Sequence, residues 1–399
     1  MTSERGQGAP RLRYCRRCGI AETRPHLRFD EETICSACRA YERRPAIAWE
    51  DRQRRFLDLV EQYRSKDGSN WDCIVPVSGG KDSHYQTLMV LEMGLNPLIV
   101  MATTDKLSDI GRRNFDNLKK LGVDAIEVDV NPVVRRKLNR IALMRIGDIS
   151  WPEHVTIFTV PVRLSVQLNI PLVIWGENTE DEYGGPDEAA SEYRLINRSW
   201  LEEFGGMNGL RVADMVGQLG ITQRDLIAYT YPAADDLERT GSVGVYLGYF
   251  FPWDGLSNAI LAKAYGFETY GKTVEGSLVD YENLDNYQTG IHDYFMYLKY
   301  GFGRAAMLAS LHVRRGRLSR RQAMDLVRRH DGRFPSTYLG HPLEEILRDI
   351  GMSLEQFQGI CDRFTNRRIF RQDNNGRFIR DEAGRLVKFN DDNPEDAEG

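Results

Sequence analysis

The sequence CIVPVSGGKDS, residues 73–83, decides the fold of this chain. Its first five residues are a short apolar run typical of a buried strand, and a helical pattern follows at residues 82–93. The two glycines between them allow the backbone to turn tightly and to approach a ligand closely. Because the start of a helix presents unpaired N–H groups and the positive end of the helix dipole, this arrangement favours the binding of an oxyanion. We therefore predict a phosphate-binding loop at residues 78–83.

The polar side chains of the loop suit a pyrophosphate. Ser78 and Ser83 can donate hydroxyl hydrogen bonds, and Lys81 adds a positive charge. The stretch does not match the Walker pattern GxxxxGK[ST], so a nucleotide bound here would be held by a different kind of loop. An ordinary glycine-rich turn between a strand and a helix is the alternative interpretation.

Strand and helix patterns alternate through the middle of the chain. Apolar strands are predicted at 73–77, 98–103, 125–130 and 172–175, with helices at 82–93, 109–121 and 154–168. Strands separated by helices indicate an α/β fold, a doubly wound parallel sheet covered on both faces. Ligands bind beyond the carboxyl ends of such strands. We therefore expect residues 77–83, 103–109 and 176–182 to surround one crevice.

Four of the six cysteines form the pattern C-x2-C-x16-C-x2-C, through Cys15, Cys18, Cys35 and Cys38. Two such pairs can offer four thiolates in a tetrahedron, which suits a structural Zn²⁺ with no open position. The segment holds few apolar residues, so the metal would supply much of its folding energy. Free thiols, a redox pair and an iron–sulfur cluster are the alternatives.

The chain has 399 residues, which indicates more than one structural region. Its net charge of −5 disfavours nucleic acid as a partner. No long apolar run predicts a membrane span, and the polar N-terminus is unlike a secretory signal, so we expect a cytoplasmic protein.

Capping boxes at Ser319 with Gln322 and Ser353 with Gln356 predict two late helices. The predicted regions are a cysteine module (1–46), a linking helix (47–70), the α/β domain (71–280), a helical C-terminal region (281–370) and a flexible tail (371–399).

The loop sequence SGGKDS resembles the PP-loop of ATP pyrophosphatases, a HUP-like α/β group that splits ATP between its α and β phosphates. Further motifs narrow the resemblance: GRRN at 111–114, NLKKLGVD at 117–124, WGEN at 175–178, EYGG at 182–185, YLGY at 246–249, PW at 252–253, HDY at 292–294 and KYGFGR at 299–304. Their order, over about residues 14–370, resembles the N-acetyl sugar amidotransferases of the WbpG/PseA type. These ligases act in the biosynthesis of bacterial surface polysaccharides, including lipopolysaccharide O-antigen and nonulosonic acids.

The resemblance implies a reaction that converts an acetamido group on a sugar to an acetamidino group. ATP would activate the amide oxygen as an adenylate, with Mg²⁺ on the phosphates, and ammonia would then displace AMP. The expected ATP-binding residues are Ser78, Gly79, Gly80, Lys81, Asp82, Ser83, Thr103 and Gly176. Lys81, Asp82, Glu177 and Glu182 are the catalytic candidates, the three carboxylates also being possible Mg²⁺ ligands. The sugar-binding candidates are Asn178, Tyr246, Trp253, Lys272, Lys299 and Arg304. Solvated charges, helix caps and core aromatics are the alternative interpretation of these side chains.

Ammonia needs a source. The two remaining cysteines, Cys73 and Cys361, lie in apolar patterns typical of inert core thiols. The resemblance implies a separate glutaminase subunit that supplies the ammonia. Two other classes stay open: a PP-loop tRNA sulfurtransferase, and a nucleotide-binding regulatory protein that has lost catalysis. Neither the sugar nor the oligomeric state follows from the sequence.

Overall fold

A five-stranded parallel sheet forms the centre of the protein, whose structure, a computed structural model, describes residues 12–177 and 209–389. The strand order is β3-β2-β1-β4-β5, and every neighbouring pair is parallel. The five strands are β1 (Cys73–Pro76), β2 (Pro97–Ala102), β3 (Asp124–Val128), β4 (Leu172–Trp175) and β5 (Val243–Tyr246). Helices cover both faces, which confirms the predicted doubly wound α/β fold.

The winding of the sheet reverses at its middle strand. The chain passes outward from β1 to β2 and β3, and it then returns to place β4 on the other side of β1. In open parallel sheets such a reversal opens a crevice at the carboxyl ends of the strands. Strands β1, β2 and β4 are apolar almost throughout because helices bury both of their faces.

Nine helices of the described ranges come before the C-terminal region. They are α1 (Ser36–Arg43), α2 (Trp49–Tyr63), α3 (Lys81–Glu92), α4 (Asp109–Lys119), α5 (Pro132–Ile146), α6 (Trp151–Leu168), α7 (Ala234–Thr240), α8 (Leu247–Phe250) and α9 (Gly255–Ala264). Helix α1 belongs to the cysteine module, and most of the others pack on the sheet or lead into it. Helix α5 and strand β5 were not among the elements predicted from the sequence. The signals for α5 are Asn131, whose side chain accepts a hydrogen bond from the N–H of Val133, and a proline at its first position. Strand β5 is only four residues long and contains a glycine, so its pattern is weak.

The C-terminal region is mainly helical, with α10 (Thr289–Tyr300), α11 (Arg304–Arg314), α12 (Arg320–His330), α13 (Leu343–Asp349) and α14 (Leu354–Phe364). Both predicted capping boxes are present, at the starts of α12 and α14. The region predicted as helical also contains a short antiparallel pair of strands, β6 (Thr337–Tyr338) and β7 (His341–Pro342), which lies between α12 and α13. None of the helices in the described ranges is long and apolar enough to cross a bilayer.

The expected flexible tail is wrong for residues 371–389. Phe370 pairs with Lys388 and Arg380 pairs with Leu386, and both apolar residues are buried. Two tight turns make this possible, because the side chains of Asp373 and Asp381 each accept backbone N–H groups two and four residues ahead. The polar composition therefore reflects turn chemistry rather than disorder in this segment.

Candidate functional site

The predicted phosphate loop joins β1 to α3 at the point where the sheet winding reverses. Gly79 has φ +87°, and a Cβ at this position would lie 2.9 Å from the backbone nitrogen of Phe115. Only glycine fits so close an approach in a left-handed conformation. The N–H of Ser78 donates to Ser83 Oγ at 3.0 Å, and Gly80 is the N-cap of α3. The loop therefore ends in free helix N–H groups beyond the carboxyl end of the central strand.

Lys81 is buried between two carboxylates. Its Nζ lies 2.5 Å from Asp82 Oδ2 and 2.8 Å from Glu282 Oε1. Burial alone would lower the pKa of Lys81, but the charges of Asp82 and Glu282 outweigh it and raise the pKa well above its usual value. The other oxygen of Asp82 accepts a hydrogen bond from Asn258 Nδ2 at 2.8 Å. Lys81 is therefore charged and fixed in place at neutral pH.

Glu282 was not predicted from the sequence. It lies some two hundred residues after the loop, in a polar segment before α10, and no spacing rule connects it with Lys81. The nearby Asp285 is half-buried, its backbone oxygen accepts a hydrogen bond from the N–H of Ser108, and desolvation raises the pKa of its carboxyl group. The segment that carries these two acids closes over the loop from the C-terminal side.

One cavity of about 140 Å³ collects the charged groups around the loop. Its walls include Lys81, Asp82, Glu177, Trp253, Glu282, Arg304, Arg315 and Arg317. Basic groups of this kind suit phosphate oxygens, and three carboxylates facing one space are the hard oxygen donors that Mg²⁺ prefers. Asp82, Glu177 and Glu282 thus offer oxygen donors to a Mg²⁺ bound with the phosphates, although in the described residues these carboxylates are not gathered into a ready cluster as the four cysteines are.

The other predicted nucleotide contacts lie at the same edge of the sheet. Thr103 follows β2, and its backbone oxygen accepts from Arg135 Nη1 at 2.7 Å. Gly176 follows β4, and a Cβ there would lie 3.3 Å from the ring of Trp253. Asn178 and Glu182 lie outside the described residues.

The candidate sugar-binding residues do not form one cluster. Trp253 and Arg304 line the cavity beside Lys81, and Trp253 packs edge-to-face on Tyr85 at 5.1 Å. Lys272 is exposed, with its Nζ 5.0 Å from the centre of the Tyr270 ring. The remaining two lie elsewhere: Tyr246 packs against the sheet core at the end of β5, and Lys299 donates to the backbone oxygen of Ile146 at 3.4 Å.

A second cavity, of about 380 Å³, lies within the C-terminal region and shares Arg304 with the first. Arg304 makes a two-point ion pair with Asp293, at 2.8 and 3.1 Å. The wall of this second cavity also contains four aromatic residues, Tyr294, Tyr297, Phe334 and Tyr338. Aromatic rings beside an ion pair are suitable for a polar ligand with apolar faces, such as a sugar. No sequence pattern predicted this cavity, since its residues come from four separate elements.

The four cysteines of the N-terminal module converge on one point. Cys15 Sγ lies 3.9 Å from Cys38 Sγ, and Cys18 Sγ lies 3.6 Å from Cys35 Sγ. All four sulfur atoms lie within 4.8 Å of one another and are buried. Four thiolates bound to Zn²⁺ at about 2.3 Å in a tetrahedron would be about 3.8 Å apart. The geometry therefore fits the predicted structural zinc.

The fold and this site define a doubly wound parallel α/β protein with a glycine-rich loop between β1 and α3 and a zinc-ribbon-like cysteine module. Residues 275–387 match the family model described as "LPS biosynthesis protein WbpG-like, C-terminal domain", which supports the resemblance to WbpG-type proteins. No curated protein matches the sequence. Among solved structures, NMN synthetase from Francisella tularensis is similar over 49% of this chain and 92% of its own, at 14% identity and a TM-score of 0.27.

Proposed function

We propose that this protein is an ATP-dependent amidotransferase that converts an acetamido group of a sugar to an acetamidino group, with release of AMP and pyrophosphate. The observation that carries the proposal is the SGGKDS loop with a buried, charged Lys81, in a chain whose C-terminal region matches a lipopolysaccharide biosynthesis family. The loop is not a Walker sequence, and its resemblance is to enzymes that split ATP between the α and β phosphates.

An amide oxygen is a poor leaving group, and adenylation turns it into a good one. Lys81 and the N–H groups at the start of α3 are placed to neutralise the charge that grows on the phosphates as pyrophosphate leaves. Asp82, Glu177 and Glu282 would hold the Mg²⁺, which shields phosphate charge when bound. The protein's own contribution is mainly to position the reactants and to stabilise this charge.

The decisive experiment incubates the protein with ATP, Mg²⁺, ammonium and a panel of acetamido sugars. We expect AMP, pyrophosphate and a sugar about one mass unit lighter, since NH replaces O. Lys81→Ala should lower turnover by at least about 100-fold because Lys81 belongs to the loop itself and its buried charge faces the phosphates there. Lys66→Ala, which removes an exposed lysine paired with Glu61, is the control. Formation of ADP and phosphate would refute the proposed class of reaction.

We place the sugar next to Arg304, between the cavity at Lys81 and the aromatic cavity beyond the Asp293–Arg304 pair. Arg304→Lys and Trp253→Phe should raise the KM for the sugar about 10-fold or more, while leaving the Kd for ATP within about 3-fold. Lys66→Ala, which removes an exposed lysine paired with Glu61, is again the control. Unchanged sugar kinetics in both folded variants would move the sugar site elsewhere.

The ammonia is proposed to come from a separate glutaminase. A glutaminase needs a reactive cysteine, but Cys73 and Cys361 are buried and burial raises the pKa of both thiols. The same burial disfavours the tRNA sulfurtransferase alternative, which would also need an accessible thiolate.

A further inference from the structure

A buried carboxylate lies between two histidines outside the phosphate loop. Asp148 Oδ1 accepts a hydrogen bond from His292 Nδ1 at 2.9 Å, and Asp148 Oδ2 lies 3.8 Å from His154 Nδ1. The two imidazole rings are edge-to-face at 5.2 Å. The Asp148 side chain is 3% exposed, whereas those of His292 and His154 are 27% and 28% exposed. Each ring thus turns its Nδ1 to the carboxylate, and each imidazole side chain stays partly exposed.

This group lies near the edge of the sheet that carries the phosphate loop. His154 is in the first turn of α6, next to Glu153, which contacts Arg135. Arg135 in turn donates to the backbone oxygen of Thr103 at the carboxyl end of β2. His292 is in the first turn of α10, a few residues after the segment that brings Glu282 to Lys81. Both helices therefore start beside the predicted crevice.

The surrounding charges give the two histidines different roles. Burial disfavours a charge on either ring, but Asp148, helped by Asp293, outweighs this and raises the pKa of His292. For His154 burial prevails, and the pKa falls to about 4, with His292, Arg304 and Lys299 adding to the fall. His292 is therefore the ring that binds a proton more readily, whereas His154 is neutral at neutral pH. Arg304 connects this cluster with the reaction site, because it pairs with Asp293, the residue after His292, and also lines the cavity beside Lys81.

We propose that His292, oriented by Asp148, is the general base that removes a proton from the attacking ammonia when AMP is displaced. This rests on the proposed function. The ammonia nitrogen forms a bond with the imidate carbon, and the resulting tetrahedral centre carries a positively charged NH3 group. His292 Nε2 takes one of its protons. The carbon–oxygen bond then breaks, its electron pair leaves with the phosphate oxygen of AMP, and the amidine remains. Asp148 is a positioning residue, which fixes the ring by accepting from Nδ1–H and stabilises the imidazolium.

The test separates adenylation from amination. Sugar-dependent exchange of labelled pyrophosphate into ATP reports adenylation and needs no ammonia. His292→Gln should leave this exchange within about 3-fold of the wild type and lower amidine formation at pH 7 by about 100-fold or more. In this variant the fall of the amination rate at low pH, which reports protonation of His292, should also disappear. His26→Asn, an exposed histidine with φ 63° that asparagine tolerates, is the matched control.

Asp148→Asn supplies a readout that a purely structural role would not change. Removing the carboxylate lowers the pKa of His292, so the acid limb of the profile should move to lower pH while amination falls. Wild-type amination by folded His292→Gln, or equal loss of exchange and amination, would overturn the assignment of His292. If the wild-type protein shows no sugar-dependent exchange and forms no AMP with any acetamido sugar, the proposed function itself fails and this inference with it.

Discussion

At the scale of single residues, the phosphate loop depends on a glycine that no other residue can replace. Gly79 has a left-handed conformation, and its Cα lies close to the backbone nitrogen of Phe115, so that no side chain fits between them. This approach brings α4 against the loop and fixes the direction in which the N–H groups of α3 point. Lys81 shows the complementary effect, since its place is set by two carboxylates that are far apart in sequence.

We predict that Gly79→Ala destabilises the protein more than Gly122→Ala does. Both glycines have φ +87°, but a Cβ at Gly122 would meet nothing within 4 Å. The control should cost about 1–2 kcal/mol of strain, and the clash at Gly79 should add about 1–3 kcal/mol. Denaturant unfolding measures both values, and ATP binding should be lost only in Gly79→Ala. Equal free energies of unfolding for the two variants would contradict the close approach.

At the scale of elements, the cysteine module is part of the core of the C-terminal region. Its buried cysteines belong to the same apolar cluster as Phe295 and Leu298 of α10. Thr23 Oγ1 donates to the backbone oxygen of Tyr300 at 2.5 Å, and Arg320 of α12 donates to that of Cys15 at 3.4 Å. A metal that orders this module would therefore also hold the last turn of α10 and the first turn of α12.

We predict one zinc ion per chain, bound by the four cysteines. Cys38→Ser should release it and lower the free energy of unfolding by more than about 3 kcal/mol, because metal binding supplies folding energy to a module with few apolar residues. Arg17→Ala, between the ligands in sequence but paired with Glu42 at the surface, is the control and should keep the zinc. Elemental analysis and denaturant unfolding are the measurements. Iron with sulfide, or a folded wild-type protein without metal, would refute the zinc assignment.

At the scale of the whole molecule, the C-terminal region completes the site that the α/β sheet begins. Glu282 reaches Lys81, the backbone of Asp285 reaches Ser108, and Lys106 pairs with Asp349 at the far end of α13. The cavity beside the loop therefore has walls from both halves of the chain. Substitutions in the C-terminal region should affect chemistry at the loop as well as stability.

The burial of cysteines in the folded molecule limits the source of nitrogen that the chain can use. We predict that the purified protein makes amidine from ammonium salts but not from glutamine, and releases no glutamate, because its two cysteines outside the module are buried. Adding the matching glutaminase should restore the use of glutamine. Cys361→Ala, which removes a thiol that could be suspected of glutaminase activity, should leave ammonium-dependent turnover within about 3-fold. Glutamate release by the wild-type chain alone would show that the prediction is wrong.

The sequence by itself determined the features that depend on local pattern. The alternation of apolar strands and helices predicted the parallel sheet, the SGGKDS turn predicted the phosphate loop, and the cysteine spacing predicted the convergence of four thiols. Each follows from a few adjacent residues and from geometry that any chain must obey. The turns at Asp373 and Asp381 were also local, but their polar composition was interpreted as disorder.

Only the tertiary structure decided which distant side chains meet. Glu282 beside Lys81, and His292 beside Asp148, join segments separated by more than one hundred residues in sequence. No periodicity encodes such pairs, because they depend on how the sheet is wound and on where helices α6 and α10 start. The scattering of the predicted sugar-binding residues has the same cause: neighbours in sequence point to different sides of a helix or a loop, and packing alone selects the side that faces the site.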